Sequence, residues 1–281
     1  MKLPYSLRAN QSKIIDNIKL ALEDRNHLIL EAPTGSGKTF TSLAAALPFI
    51  TKRNMKIVYC VRTNSQQKQV ISELQQFNKS GNEIKAVAIQ GREALCPQQK
   101  NDTELKKSNW SEKSKICKSL KLKSKLGESG CPFYSKLLKE GDSLTKKWSS
   151  EILTAQEFSK RAEEDGICPY ELNKLLLKEA QVVIVPYVYF FDEFIRNYML
   201  GWMDISIDKV IAIIDEAHNL PDWARGAASE SMTLKSINLA ISEVKDYGYQ
   251  LAEGRDPVHF LNLVEAAMEK LSEDHISDSD E

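Results

Sequence analysis

Nothing in this sequence of 281 residues stays apolar for long enough to cross a bilayer. The longest hydrophobic stretch, Val182 to Phe191, is about half of the roughly 20 residues that a membrane helix needs, and Pro186 interrupts it. No secretory leader pattern opens the chain, and only five cysteines are spread through it. A disulfide scaffold is therefore not expected, and the setting implied is a reducing, cytoplasmic one without membrane contact. Net charge is scarce too: 38 lysines and arginines stand against 39 aspartates and glutamates, a balance of −1 that by itself points to no class of partner. With 42% hydrophobic residues, the length suits a globular protein of one large or two small domains.

The charge that is present is unevenly placed. Lys100 to Lys147 holds 13 lysines and 6 acids, whereas Leu251 to Glu281 holds 9 acids and 2 bases. A lysine block of this kind suits a nucleic-acid surface, although plain solvated surface is the commoner origin of a charge run. The acidic, serine-rich end reads as disordered.

The chain is organised around Glu31 to Thr39, EAPTGSGKT. An apolar run, His27 to Leu30, precedes Ala32-Pro33-Thr34-Gly35-Ser36-Gly37-Lys38-Thr39, and an alanine-rich segment from Ser42 to Ile50 follows at helical spacing. Strand, loop and helix are expected in that order. Gly35 and Gly37 can take backbone angles closed to other residues, so successive N–H groups of Thr34 to Thr39 turn inward and the helix adds its positive end, which makes a phosphate cradle. Lys38 would reach the β- and γ-phosphates, and the Thr39 hydroxyl would ligate Mg²⁺. Ala32 stands where the usual pattern has glycine, a variant associated with helicase-like motors.

Alternating segments surround this loop. Gln11 to Glu23 carries Ile14, Ile15, Ile18 and Leu22 on one helical face, with Arg8 and Gln11 at its start; a glutamine amide can read an adenine edge, although capping or surface glutamines are common. Strands are expected at Lys56 to Val61, Ile84 to Ile89, Gln181 to Val185 and Lys209 to Ile214, with a helix marked by Val70, Ile71, Leu74 and Phe77. That alternation implies an α/β fold with a parallel sheet covered by helices. Cys60, within the second expected strand, reads as a small core hydrophobe. Arg62-Thr63-Asn64-Ser65 follows the Lys56 strand at its carboxyl end, where phosphodiester contacts and a helix N-cap at Asn64 or Ser65 are both natural. Asp215 and Glu216 close an apolar strand. Acids at such a tip are costly unless they meet a cation, so Asp215 is assigned to Mg²⁺ and Glu216 to the attacking water. Helices are expected from Leu234 to Leu251 and from Val258 to Leu271.

From Gly91 to Leu172 the alternation stops, which reads as an insertion. It holds Cys96, Cys117, Cys131 and Cys168, three of them followed by proline, and so little apolar periodicity that the cysteines are expected to hold the block together. Zinc sites usually pair cysteines at short spacing, and no short pair exists here. Isolated thiolates closing long loops suit a [4Fe–4S] cluster at least as well, and unrelated core cysteines are the third reading.

APTGSGKT, then VRTNSQ, then four cysteines before IIDEAHNLPD resembles the XPD family of superfamily 2 DNA helicases, in its archaeal form. Gln90-Gly91-Arg92, Cys131-Pro132-Phe133-Tyr134, Cys168-Pro169-Tyr170-Glu171 and Val185 to Phe190 match as well. The resemblance implies a RecA-like motor domain at residues 1–90 and 173–224, a [4Fe–4S] domain at 91–172, and the helical start of an arch domain at 225–281. It implies ATP- and Mg²⁺-dependent 5′→3′ unwinding of DNA in repair, acting on single strands and forks. Lys38, Asp215, Glu216 and His218 would be catalytic, Arg8 and Gln11 adenine-reading, and Arg62, Thr63, Arg92 and Tyr170 in contact with DNA. Measured against that family, the chain stops about sixty residues past the DEAH box. A second motor domain is then required for activity, and these 281 residues are expected to be a monomer that binds ATP but scarcely hydrolyses it. A nucleotide-regulated single-strand-binding module and an RNA-dependent DEAH-type ATPase are the alternatives.

Overall fold

The computed structural model describes residues 1–33, 35–98, 110–229, 232–248 and 256–276. Thr34 therefore lies outside the described residues, as do part of the lysine block at 99–109 and the terminal 277–281. Two compact units emerge, Met1–Ala217 and His218–Glu281.

The first unit is built on four parallel strands, β1 (Lys56–Val61), β2 (Ala86–Ala88), β3 (Val182–Pro186) and β4 (Val210–Ile214), in the order β2-β3-β1-β4. β1 lies in the middle, with Tyr59 opposite Ile184 on one side and Ile213 on the other. Its residues from Ile57 to Val61 are all buried, which explains why KIVYCV is a continuous apolar run rather than an alternating one. Helices α1 (Gln11–Glu23), α2 (Lys38–Arg53) and α3 (Asn64–Lys79) cover the sheet, and Leu43, Leu47, Ile71, Leu74 and Phe77 join Ile57 and Tyr59 in one core. Cys60 is buried in β1, as its setting in the sequence implies.

The expected strand at His27 to Leu30 does not form. The segment has no ladder partner in the four-stranded sheet, and Ile29 is 96% exposed. An apolar run becomes a strand only where another strand stands beside it, because its N–H and C=O groups must be paired. β4 is an edge strand, bonded to β1 alone.

Between β2 and β3 the chain makes α4 (Arg92–Leu95), α5 (Trp110–Lys125), α6 (Pro132–Trp148), α7 (Ala155–Glu164) and α8 (Pro169–Leu177). The expectation that this block has little apolar order of its own is corrected here. Leu137, Leu144 and Trp148 recur along one face of α6 and pack with Phe158, Ala162, Ile167, Leu172 and Leu176, forming a second core that also meets Val87 of β2. The period was diluted by lysines on the opposite face, which is why the block looked irregular.

After β3 come α9 (Tyr187–Phe191) and α10 (Glu193–Met203). The second unit contains α11 (Leu220–Ala228), α12 (Leu234–Tyr247) and α13 (Pro257–Ile276). Thr233 caps α12 with a reciprocal Ser236 box, and α12 packs against α13. Among the described residues no helix is long and apolar enough to cross a membrane.

Candidate nucleotide and cysteine sites

The glycine loop has the backbone its sequence demands. Gly35 and Gly37 have φ of 79° and 86°, left-handed values that a side chain would strain, and a Cβ on Gly37 would lie 2.6 Å from Gln11 Nε2. Gly37 then caps α2, so the loop ends on a helix N-terminus. Gln11 is buried and ties the loop down: its Nε2 donates to Ser36 O at 2.9 Å while its Oε1 accepts from Arg8 N at 3.0 Å. Among the described residues these two bonds leave one N–H and one lone pair of that amide for a base edge. Arg8 Nη1 donates to Gly35 O at 3.3 Å. Both residues assigned to adenine therefore sit against the loop.

Lys38 donates to Ala32 O at 3.1 Å and stands 3.9 Å from Glu216 Oε1. Glu216 takes a left-handed φ of 49°, unusual for a residue with a side chain, at the turn after β4. Asp215 N donates to Cys60 O at 3.0 Å, continuing the β1 ladder past the strand end. Burial, reinforced by the neighbouring Glu216 charge, pushes the Asp215 carboxyl above its ordinary range, and Lys38 opposes this. Thr39 is buried beside Tyr59, whose hydroxyl it meets together with Ser42; burial first, with Asp215 adding, pushes that phenol up to about 12. Sequence reasoning assigned no role to Tyr187. Its hydroxyl donates to Asp215 O and, at 3.1 Å, to Glu216 O, fixing the acidic turn. The only hint was its place directly after β3. His218, assigned with the acids, opens the second unit, where its Nε2 lies 3.1 Å from Asn219 Nδ2.

Two observations fit a bound nucleotide. Among the described residues Ser36 Oγ is buried without a hydrogen-bond partner, and a Cβ on Gly35 would meet nothing within 4 Å, so the loop offers a donor and room. The Asp215 carboxylate and the Thr39 hydroxyl would be the oxygens to hold Mg²⁺.

Cys96, Cys117, Cys131 and Cys168 line a single cavity with Arg92, Lys121, Tyr134, Tyr170 and Glu171. Cys131 and Cys168 are N-caps of α6 and α8, with Pro132 and Pro169 at the first helical turn, which is the structural meaning of two of the three Cys-Pro pairs; Cys96 is the C-cap of α4. Backbone N–H groups of Phe133 and Tyr134 reach Cys131, and that of Glu171 reaches Cys168. Helix N-termini favour a thiolate, yet burial dominates and pushes the Cys117, Cys131 and Cys168 thiols up, Cys168 to about 12. Among the described residues no three His, Cys, Asp or Glu side chains stand in a metal-holding arrangement. The donor chemistry fits a thiolate-bound group, and the spacing would have to tighten around one.

Arg92 and Tyr170 meet at this cavity, the guanidinium carbon 5.0 Å from the ring centre. Arg62 and Thr63 are exposed at the carboxyl end of β1. The N-cap of α3 is Thr63 rather than Asn64 or Ser65: its Oγ1 accepts from Gln66 N at 3.2 Å while Gln66 Oε1 accepts from Thr63 N at 2.9 Å. Gln66 completes the box for Thr63, whereas Gln67, three residues after Asn64, is buried and donates instead to Ile89 O and Ile184 O.

Fold and site together define a P-loop α/β domain in which a glycine loop and its lysine face an Asp-Glu turn. Residues 59–237 match the DEAD_2 family, and the chain belongs to that family. It is 27% identical over 282 residues to the Caenorhabditis briggsae "Regulator of telomere elongation helicase 1 homolog", covering 87% of this chain and 26% of that protein. It is 27% identical over 213 residues to "ATP-dependent DNA helicase chl1" of Neosartorya fischeri, covering 69% and 24%. The chain thus spans about a quarter of the length of these relatives. Two solved structures share the fold at 23% identity: "Truncated XPD", TM-score 0.56, covering 92% of this chain and 65% of that one, and "XPD_Helicase", TM-score 0.52, covering 84% and 37%.

Proposed function

We propose that the chain is the nucleotide-binding part of an ATP-dependent DNA helicase of the XPD type, acting 5′→3′ on single strands and forks in DNA repair. The observation that carries this reading is Lys38 poised 3.9 Å from Glu216 across a glycine loop, with Asp215 adjacent. The helicase names of its DEAD_2 relatives add support.

In this reading Lys38 leaves the Ala32 carbonyl for the β- and γ-phosphates, and the loop N–H groups with Ser36 Oγ hold the remaining oxygens. Thr39 and Asp215 would hold Mg²⁺, which would supply positive charge at the phosphates. Glu216 takes the proton of the attacking water, with His218 two residues on in sequence, and Tyr187 keeps the acidic turn in place. Arg8 and Gln11 meet the base. Residues 1–90 and 173–224 form the motor domain, 91–172 a domain whose four cysteines hold a [4Fe–4S] cluster, and 225–281 the beginning of an arch. Arg62, Thr63, Arg92 and Tyr170 contact the strand.

Phosphoryl transfer gains ~10³–10⁵ in rate from an arginine supplied by a facing domain. These 281 residues alone should bind ATP–Mg²⁺ as a monomer and hydrolyse it near background. The test is a single-turnover ATPase assay with and without single-stranded DNA, with Glu216→Gln as control. DNA-stimulated turnover abolished by Glu216→Gln would support the catalytic roles and overturn the expectation of inactivity. Absence of ATP binding in calorimetry would remove the whole reading.

A further inference from the structure

Helix α10 has two unlike faces. Met199 and Met203 are fully buried, whereas Phe194 is 79% exposed and Tyr198 66% exposed. Phe194, Tyr198 and Trp202 recur at every fourth position, so they form one stripe about 12 Å long on the helix surface. Exposing two large rings on consecutive turns does nothing for the core.

The stripe does not end at Trp202. The Tyr198 and Trp202 rings stack at 6.4 Å with planes 26° apart, and Trp202 meets Tyr170 edge-on at 6.4 Å. Cations sit among these rings: Lys174 Nζ is 4.5 Å from the Trp202 centre and 4.8 Å from the Tyr170 centre, and Arg92 closes the row over Tyr170 at 5.0 Å. Of the acids nearby, Glu171 pairs with Lys121 and Lys174 and Asp204 with Lys178, while Glu193 is exposed at the start of α10. Aromatic faces open to solvent at one end and cations at the other are the two elements that a single-stranded nucleic acid requires, π-faces for bases and positive charge for phosphates. A protein partner would use the apolar stripe but would have no need of the interleaved cations.

We propose that Phe194 and Tyr198 form a base-stacking platform that continues the strand path from Arg92 and Tyr170 along α10. This rests on the reading of the chain as a DNA-acting protein and assigns a surface that the four expected contact residues leave out. Stacking binds any base, so the platform adds affinity without sequence preference.

The test is fluorescence anisotropy of the full 281-residue chain with labelled deoxythymidine oligomers, a short one and one several times longer, for the wild type, Phe194→Ala/Tyr198→Ala and Tyr170→Ala. Both platform positions are exposed, so the double variant should keep its fold, checked by circular dichroism. The expected result is weaker binding of the long oligomer by about tenfold for each ring removed, little change with the short one, and an unchanged salt slope, since rings neutralise no phosphate. Equal affinity of wild type and double variant for both oligomers, whether or not self-association changes, overturns the platform while leaving the DNA reading standing. If the wild type binds neither oligomer, the DNA reading itself fails and the platform with it.

Discussion

Lys38 and Asp215 face the same loop, and each can be tested singly. Lys38→Ala should weaken nucleotide triphosphate binding ten- to a hundredfold, the loss of a charge-assisted contact of about 1.5–3 kcal/mol, read by calorimetry. Asp215 has its carboxyl pKa raised by burial and by Glu216, so the native state holds that proton more tightly than the unfolded chain does. Its contribution to stability therefore declines as pH rises from the ordinary value of 3.8 through the raised one, and the penalty is fully present above it. Asp215→Asn should raise the melting temperature of the nucleotide-free chain at neutral pH, with the gain vanishing in acid, while Mg²⁺-dependent nucleotide binding is lost. The glycines, Lys38 and the two acids were legible in the sequence because each answers a local demand of backbone angle or charge. Tyr187 and the loop-tying role of Gln11 were not. Their partners lie 28 to 29 and 25 residues away, and only the packing of β3 beside β1, and of α1 beside the loop, brings them together.

At the scale of elements, β1 and β3 were legible as apolar runs since the sheet buries them, β4 kept the same apolar run at the sheet edge with only Ile211 buried, and β2 proved shorter than the Ile84 to Ile89 run. The segment His27 to Leu30 was misread because strand formation depends on a neighbour that local sequence does not specify. The helical block failed in the opposite direction: its core exists, but wide lysine faces hid the period. That core alters what cysteine substitutions should do. Cys117→Ser should lower iron content after anaerobic preparation, yet leave the helical circular dichroism nearly intact, because Leu137, Leu144, Trp148 and Phe158 hold α6 to α7 without it. Cys60→Ser should not alter the iron content. Trp148→Ala should do the converse, costing about 3–5 kcal/mol in chemical denaturation, since the ring is buried and stacked edge-on against Phe158 at 5.0 Å.

For the whole molecule, a net charge of −1 conceals a polarised chain, and affinity for single-stranded DNA should fall steeply with salt through the lysines of the helical block. A flat salt dependence in anisotropy titrations would remove those lysines from the interface. The bare run at Leu28, Ile29 and Leu30 bears on handling rather than catalysis. It presents three consecutive greasy side chains on a segment outside the sheet ladder, immediately before the loop that must stay open for phosphate. Such a segment invites the same segment of another molecule to lie alongside it. Concentrated preparations should scatter light increasingly with time, and a charge at its most exposed point, Ile29→Lys, should keep them clear without lowering nucleotide affinity.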